Sequence, residues 1–139
     1  MKIIVDAMGG DYAPEVVIDG VVVAVKEYDS IEVVLVGDEP RIRALLKKAQ
    51  YAGNTISIYP AEEVIEMSEP AAASVRKKRN SSIVVGLNLV KDGKGDAFFS
   101  AGNTGAVVCA ATLSMRLLPG IERPGIAIVV PTLKGISLI

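Results

Sequence analysis

The segment Ser100-Ala101-Gly102-Asn103-Thr104-Gly105 carries residue types that bind anions. Its glycines let the backbone approach a ligand closely, and its serine, asparagine and threonine add uncharged hydrogen-bond donors. If a helix begins here, its unpaired N–H groups and its dipole favour a negative group such as phosphate. The same residues would also suit an ordinary strand-to-helix turn in which Asn103 or Thr104 caps the helix. The spacing matches neither a Walker A loop nor the GxGxxG dinucleotide motif.

A second glycine turn lies near the N-terminus, where Asp6 and Asp11 flank Gly9 and Gly10. Two carboxylates at such a turn could bind a cation, hold a basic group or act as a general base. Asp11 could instead cap the following helix. Asp6 would end a buried strand, so its carboxylate needs a partner.

A run of cationic residues is the densest cluster of charge in the chain: Arg76, Lys77, Lys78 and Arg79. Such a run could steer an anionic substrate or an acidic protein partner towards the molecule. It could equally be a solvated helix end, where cations interact favourably with the negative pole of the helix dipole.

Composition excludes several classes of function. The 139 residues contain no histidine and one cysteine, which excludes Ser-His-Asp triads, Cys-His pairs, histidine metal sites, CxxC zinc sites and an internal disulfide. Fifteen basic residues against 16 acidic ones give no basic face for nucleic acid. Half of the chain is hydrophobic, which excludes disorder. Asp6 interrupts the first apolar run, and no run reaches the length of a membrane span, so we expect a cytoplasmic protein.

Apolar strand patterns alternate with helical patterns, and this alternation predicts an α/β domain with a mostly parallel sheet and helices on both faces. We expect residues 1–139 to form a single domain. The predicted strands cover residues 2–6, 31–36, 55–59, 96–100 and 126–130. The predicted helices cover 14–26, 40–49, 61–66, 70–79, 81–92 and 102–117.

Ligands of open parallel sheets bind outside the carboxyl ends of the strands. Small, polar or glycine residues follow four of the predicted strands, and we expect them on one rim of the sheet. These segments are Asp6 to Asp11, Gly37-Asp38, Ser100 to Gly105 and Pro131-Thr132.

Several motifs together resemble the phosphate acyltransferase family of bacterial phospholipid synthesis, in order and spacing along all 139 residues. They are Asp6-Ala7-Met8-Gly9-Gly10-Asp11, Ala13-Pro14-Glu15, Val36-Gly37-Asp38, Val64-Ile65, Ser81-Ser82, Ser100-Ala101-Gly102-Asn103-Thr104-Gly105-Ala106 and Gly120-Ile121-Glu122-Arg123-Pro124. The first and the sixth motifs are the specific ones. Tyr12 departs from the pattern, because many relatives have histidine there.

The resemblance implies transfer of a fatty acyl group from acyl carrier protein to inorganic phosphate, giving acyl phosphate for phospholipid synthesis. It implies a fold similar to phosphotransacetylase and the isocitrate dehydrogenase-like group, a homodimer, and peripheral association with the inner face of the membrane. It implies no metal and no organic cofactor. Because the family runs to more than twice this length, we expect the chain to be the N-terminal portion of a longer enzyme.

The resemblance also assigns roles to the two glycine segments and to the cationic run. It places phosphate or the oxyanion against Ser100, Gly102, Asn103, Thr104 and Gly105. It gives the adjacent wall to Asp6, Gly9, Gly10 and Asp11, with Asp6 and Asn103 as catalytic candidates and Asp6 or Asp11 as the candidate base. It suggests that Arg76, Lys77 and Lys78 contact the carrier protein. Two alternatives stay open: a phosphotransacetylase-like enzyme that uses acyl-CoA, and a non-catalytic anion-binding fragment.

Overall fold

The structure, a computed structural model, describes residues 1–133 and 135–139. Strands and helices alternate through the first four strands, as expected for βαβ units. The strands are β1 (Lys2–Asp6), β2 (Glu32–Gly37), β3 (Ile56–Pro60), β4 (Ala97–Phe99), β5 (Val129–Thr132) and β6 (Gly135–Leu138). The helices are α1 (Glu15–Glu27), α2 (Glu39–Lys48), α3 (Ala71–Lys77), α4 (Ser82–Lys91) and α5 (Thr104–Met115).

The first four strands form one parallel sheet in the order β3-β2-β1-β4. In β1, Ile3 pairs with Ala97 of β4 and with Val33 of β2. Because β1 and β4 are neighbours and run the same way, the residues that follow them emerge side by side at the carboxyl edge. The sheet therefore positions the two glycine segments together, although about 90 residues separate them.

Both faces of the sheet are covered, which confirms the predicted α/β class. On one face, Val5, Val33 and Leu35 pack with the buried residues of α1 and with Ile42 of α2. On the other face lie Ile4 and Val36 with Leu89 of α4. Alternate residues of β1 and β2 thus enter different cores, which explains why both strands are almost entirely apolar. Helices α3, α4 and α5 share a third cluster, which includes Val75, Ile83 and Ala106.

Gly86 lies where α4 crosses the sheet. A Cβ built there would lie 2.9 Å from Cδ2 of Phe98 and 3.4 Å from Cγ2 of Ile4. Gly86→Ala should therefore lower the free energy of unfolding by about 1–3 kcal/mol through overpacking. Gly20→Ala is the matched control, because Gly20 is an exposed helical glycine with no described atom within 4 Å of the position that a methyl group would take. It should raise stability by about 0.5–1 kcal/mol. Urea denaturation checks both, and equal effects would contradict the packing.

Residues 61–66 were predicted to be helical, and this prediction is wrong. The segment is extended and bonds to neighbouring segments: the Ala61 N–H donates to Gly37 O, and the Glu63 N–H donates to Asn80 O. Ala61 and Ile65 are buried in different clusters. Tertiary contacts thus override the local helical preference.

The predicted fifth strand of the parallel sheet is also wrong. Residues 126–128 precede the strand, and β5 pairs antiparallel with β6 in a separate two-stranded sheet. Pro131 and Thr132 lie inside β5, so they do not join the rim formed by the parallel strands. The β-branched pattern indicated a strand correctly, but the partner is the next segment along the chain.

Among the described residues, no helix is long and apolar enough to cross a bilayer.

Candidate functional site

The two glycine segments meet at the carboxyl edge of β1 and β4. Ser100 follows β4, and its hydroxyl donates a hydrogen bond of 2.7 Å to Oδ2 of Asp6, the last residue of β1. The other carboxylate oxygen, Oδ1, accepts from the Met8 N–H at 3.0 Å. Asp6 is 1% exposed. The Ser100 hydroxyl and the Met8 N–H are therefore the partners that this buried carboxylate was expected to have.

The Ser100 hydroxyl joins the two loops. While it donates to Asp6, its oxygen accepts from the Gly102 N–H at 3.0 Å. The single hydroxyl hydrogen is therefore used inside the protein. In this arrangement Ser100 and Asp6 hold the loops together, and neither directs a free donor towards a ligand.

Close approach of the loops requires glycine at two positions. A Cβ at Gly9 would lie 2.9 Å from the Gly102 nitrogen and 2.9 Å from the Ser100 hydroxyl oxygen. A Cβ at Gly102 would lie 3.1 Å from the Gly9 Cα. Gly10 has a φ of +115°, a conformation that side chains disfavour, and it faces the Ala101 carbonyl. The two glycine segments thus lie together at one rim of the sheet, as predicted.

Helix α5 begins at this junction. Asn103 caps it, because its Oδ1 accepts from the Ala106 N–H at 3.0 Å. The N–H groups of Thr104 and Gly105 have no acceptor among the described residues, and both residues are exposed. Two backbone donors at the positive end of a helix can hold an anion, and the threonine hydroxyl adds a third donor.

The side chain of Asn103 is fully engaged within the protein. Its Nδ2 lies 3.1, 3.3 and 3.0 Å from the carbonyl oxygens of Glu66, Met67 and Glu69, so its two hydrogens are shared among three acceptors. Asn103 thus fastens the turn of residues 66–69 to the first turn of α5. The sequence suggested that Asn103 either binds an anion or caps the helix, and the cap is present. Its attachment to the turn was not predicted.

The turn is held from its other side by an ion pair. The Lys78 ammonium group donates to Glu69 Oε1 and, at 2.6 Å, to the Val64 carbonyl. The Ser74 hydroxyl donates to Glu69 Oε2 at 2.7 Å. These hydrogen bonds lower the pKa of Glu69 to about 2, and the one from Lys78 contributes more than the one from Ser74.

This pKa predicts how the pH affects stability. A carboxyl group with a lowered pKa stabilises the fold above its ordinary value of 4.5, and loses that contribution as the pH falls towards 2. Glu69→Gln should therefore be destabilising from pH 7 to 5, and the difference from wild type should shrink below pH 4.5. Urea unfolding at a series of pH values measures this, with the exposed Glu27→Gln as control. A difference that stays constant down to pH 3 would contradict the assignment.

The structure places the remaining predicted residues in different surroundings. Arg76 and Lys77 are exposed in the last turn of α3, where a partner protein can reach them. Lys78 differs from its neighbours, because its side chain turns inward to Glu69 and is only 26% exposed. Asp11 is exposed at the glycine turn and does not cap α1, whose N-cap residue is Pro14 without a side-chain hydrogen bond.

Comparison with known proteins gives consistent results along the whole chain. The chain is 45% identical over 139 residues to the phosphate acyltransferase of Halothermothrix orenii, covering 100% of this chain and 42% of that protein. It is 44% identical to the phosphate acyltransferase of Acetivibrio thermocellus and 47% identical to that of Pelotomaculum thermopropionicum. In both, the match covers all of this chain, and 41% and 40% of the relative.

The chain therefore spans about two fifths of the length of the curated relatives it matches. The family model described as fatty acid synthesis protein matches residues 1–139. Because this match covers the whole chain, the chain belongs to the fatty acid synthesis protein family.

Proposed function

We propose that this protein transfers a fatty acyl group from acyl carrier protein to inorganic phosphate, giving acyl phosphate for phospholipid synthesis. The relatives that match the whole chain are named phosphate acyltransferase, and this name supports the reaction type. The observation that carries the proposal is the pair of N–H groups at the exposed start of α5, which lack an acceptor in the described part of the chain and follow closely on Ala101 and Gly102, the residues packed against the Gly9-Gly10 turn. Phosphate is the anion that such a site suits.

The reaction needs no nucleophile from the protein. A phosphate oxygen attacks the thioester carbonyl carbon, a C–O bond forms, and the C–S bond breaks. The electron pair of that bond leaves with the sulfur, and the thiolate takes a proton to give the carrier-protein thiol. Holding phosphate near the thioester and stabilising the oxyanion of the tetrahedral intermediate are the contributions expected of the protein.

The polar and glycine residues of the two loops have distinct roles in this proposal. The backbone N–H groups of Thr104 and Gly105, with the Thr104 hydroxyl, bind phosphate or the oxyanion. Gly9 and Gly10 form the facing wall, next to the exposed Asp11. Asp6, Ser100, Gly102 and Asn103 act by holding these groups in place. The Asp6 carboxylate already accepts two hydrogen bonds, and the donors of the other three residues already have acceptors.

The carrier protein docks on the cationic end of α3 in this proposal. Arg76 is exposed and lines a cleft of about 510 Å³ together with Arg79 and Lys91. Helix α3 begins at Ala71, which lies against the first turn of α5, since a Cβ at Gly105 would lie 3.1 Å from the Ala71 Cβ. One helix therefore leads from the cationic surface to the phosphate site.

The resemblance further suggests a cytoplasmic homodimer that works at the inner membrane surface.

The experiment that tests this function is an assay of acyl phosphate formation by the full-length protein. Acyl carrier protein carrying a fatty acyl thioester is incubated with inorganic phosphate, and acyl phosphate is trapped with hydroxylamine. The same assay with acyl-CoA distinguishes the donors. Product that depends on both phosphate and the acylated carrier protein is the expected result. Product from acyl-CoA alone would assign the phosphotransacetylase-like alternative, and no product from either donor would overturn the proposed reaction.

A further inference from the structure

The turn of residues 66–69 lies against the proposed phosphate site and is fixed from two directions. Its carbonyl groups at Glu66, Met67 and Glu69 surround the amide nitrogen of Asn103. Its last carboxylate, that of Glu69, is held by Lys78, Ser74 and the Glu66 N–H. The turn is thus fastened through both its backbone carbonyl groups and the side chain of Glu69.

The Lys78–Glu69 pair differs from the other ion pairs of the described residues. Its two side chains are 26% and 24% exposed, whereas the partners of the other pairs are 35% to 67% exposed. Lys78 also donates to the Val64 carbonyl on the other side of the turn. Because this pair is partly buried and makes several hydrogen bonds, it contributes more to stability than a solvated ion pair does.

We propose that Lys78 and Glu69 are positioning residues of the phosphate site, which act through the turn of residues 66–69 and Asn103 on the first turn of α5. The proposal rests on the function proposed above. The ion pair sets where the three carbonyl groups lie, and these set the position of Asn103. Asn103 precedes Thr104 directly and fixes the direction of the N–H groups of Thr104 and Gly105.

The chemistry of the surroundings supports this role. Hydrogen bonds to an anion weaken steeply when donors move or tilt, and displacements of about 1 Å in a site can cost a factor of about 100. Lys78 also neutralises the carboxylate of Glu69, so that of the two acidic residues in the turn only the exposed Glu66 keeps a charge that is uncompensated within the described part of the chain. Phosphate is the anion that the proposal places on these donors before the acyl donor reacts, so the effect is expected in the KM for phosphate.

Lys78→Met in the full-length protein tests the proposal. We expect the KM for phosphate to rise about tenfold or more, with a smaller change in kcat and in the KM for the acyl donor. Lys78→Arg, which keeps the ion pair, should stay within about twofold of wild type. Glu69→Gln should shift the KM for phosphate in the same direction as Lys78→Met. Arg43→Met is the matched control, because it breaks an exposed ion pair with Glu39 on α2, away from the site.

A second readout does not depend on activity. The side-chain NH₂ resonances of Asn103 report the bonds to the turn, and Lys78→Met should shift them and speed their exchange with solvent, at a temperature where circular dichroism shows a folded protein. An active wild-type enzyme with an unchanged phosphate KM in Lys78→Met would overturn the positioning role alone, as would unchanged Asn103 resonances. A wild-type protein that makes no acyl phosphate would instead overturn the proposed function.

Discussion

Gly9→Ala should lower the rate of acyl phosphate formation by about 100-fold, the effect of a misplacement of about 1 Å in a preorganised site. The added methyl group would lie 2.9 Å from the Ser100 hydroxyl oxygen and 2.9 Å from the Gly102 nitrogen. Both atoms belong to the link between the two loops. One of them must move, and the donors at the start of α5 move with it. Overpacking should also cost about 1–3 kcal/mol of stability.

A matched glycine separates this effect from a general cost of losing glycine. Gly125 lies in a loop without a positive φ, and no described atom lies within 4 Å of a Cβ built there. Gly125→Ala should leave activity and unfolding unchanged. Steady-state kinetics and thermal unfolding of both variants check the prediction. Wild-type activity in Gly9→Ala would mean that close contact of the loops is not needed for the reaction.

Asn103→Ala should lower the free energy of unfolding by about 2–3 kcal/mol. Loss of the helix cap accounts for about 1 kcal/mol. Loss of the donor to three part-buried carbonyl groups accounts for about 1–2 kcal/mol more. The turn of residues 66–69 then has no attachment to α5, so acyl phosphate formation should fall as well. Urea denaturation gives the first quantity and the assay gives the second.

Ser81→Ala is the control for the cap itself. Ser81 is the buried N-cap residue of α4, and its hydroxyl accepts a single bond of 3.5 Å from the Val84 N–H. Its replacement should cost about 0.5–1 kcal/mol, since only a cap is lost. The excess in Asn103→Ala measures the attachment of the turn. Equal costs in the two variants would show that the turn gains nothing from Asn103.

Residue pattern alone predicted the parts of the fold that depend on short-range order. Runs of β-branched and aromatic residues indicated the strands of the parallel sheet within a residue or two. The capping residues indicated the starts of α4 and α5. Strand 126–130 failed because a pattern shows that a segment is extended, not which segment it pairs with. Segment 61–66 failed because its burial on two clusters outweighed its local preference.

The rule that ligands bind at carboxyl ends brought Asp6 and Ser100 to one rim, but the hydrogen bond between them depends on β1 and β4 being neighbours. The turn of residues 66–69 gave no signal, because Asn103 bonds to its backbone carbonyl groups, which every residue type possesses. Lys78 resembled its exposed neighbours in the cationic run. Its inward direction depends on α3 ending at Lys77, which the charge pattern does not show.

The most direct test of the site is a titration with inorganic phosphate followed by the backbone amide resonances of ¹⁵N-labelled protein, with sodium chloride at equal ionic strength as control. We expect the largest phosphate-specific shifts at Gly9, Gly10, Thr104 and Gly105, which lie at the junction of the two loops. Saturating shifts confined to Arg76 and Lys77, or no phosphate-specific shifts at the four amides, would contradict a phosphate site at the start of α5.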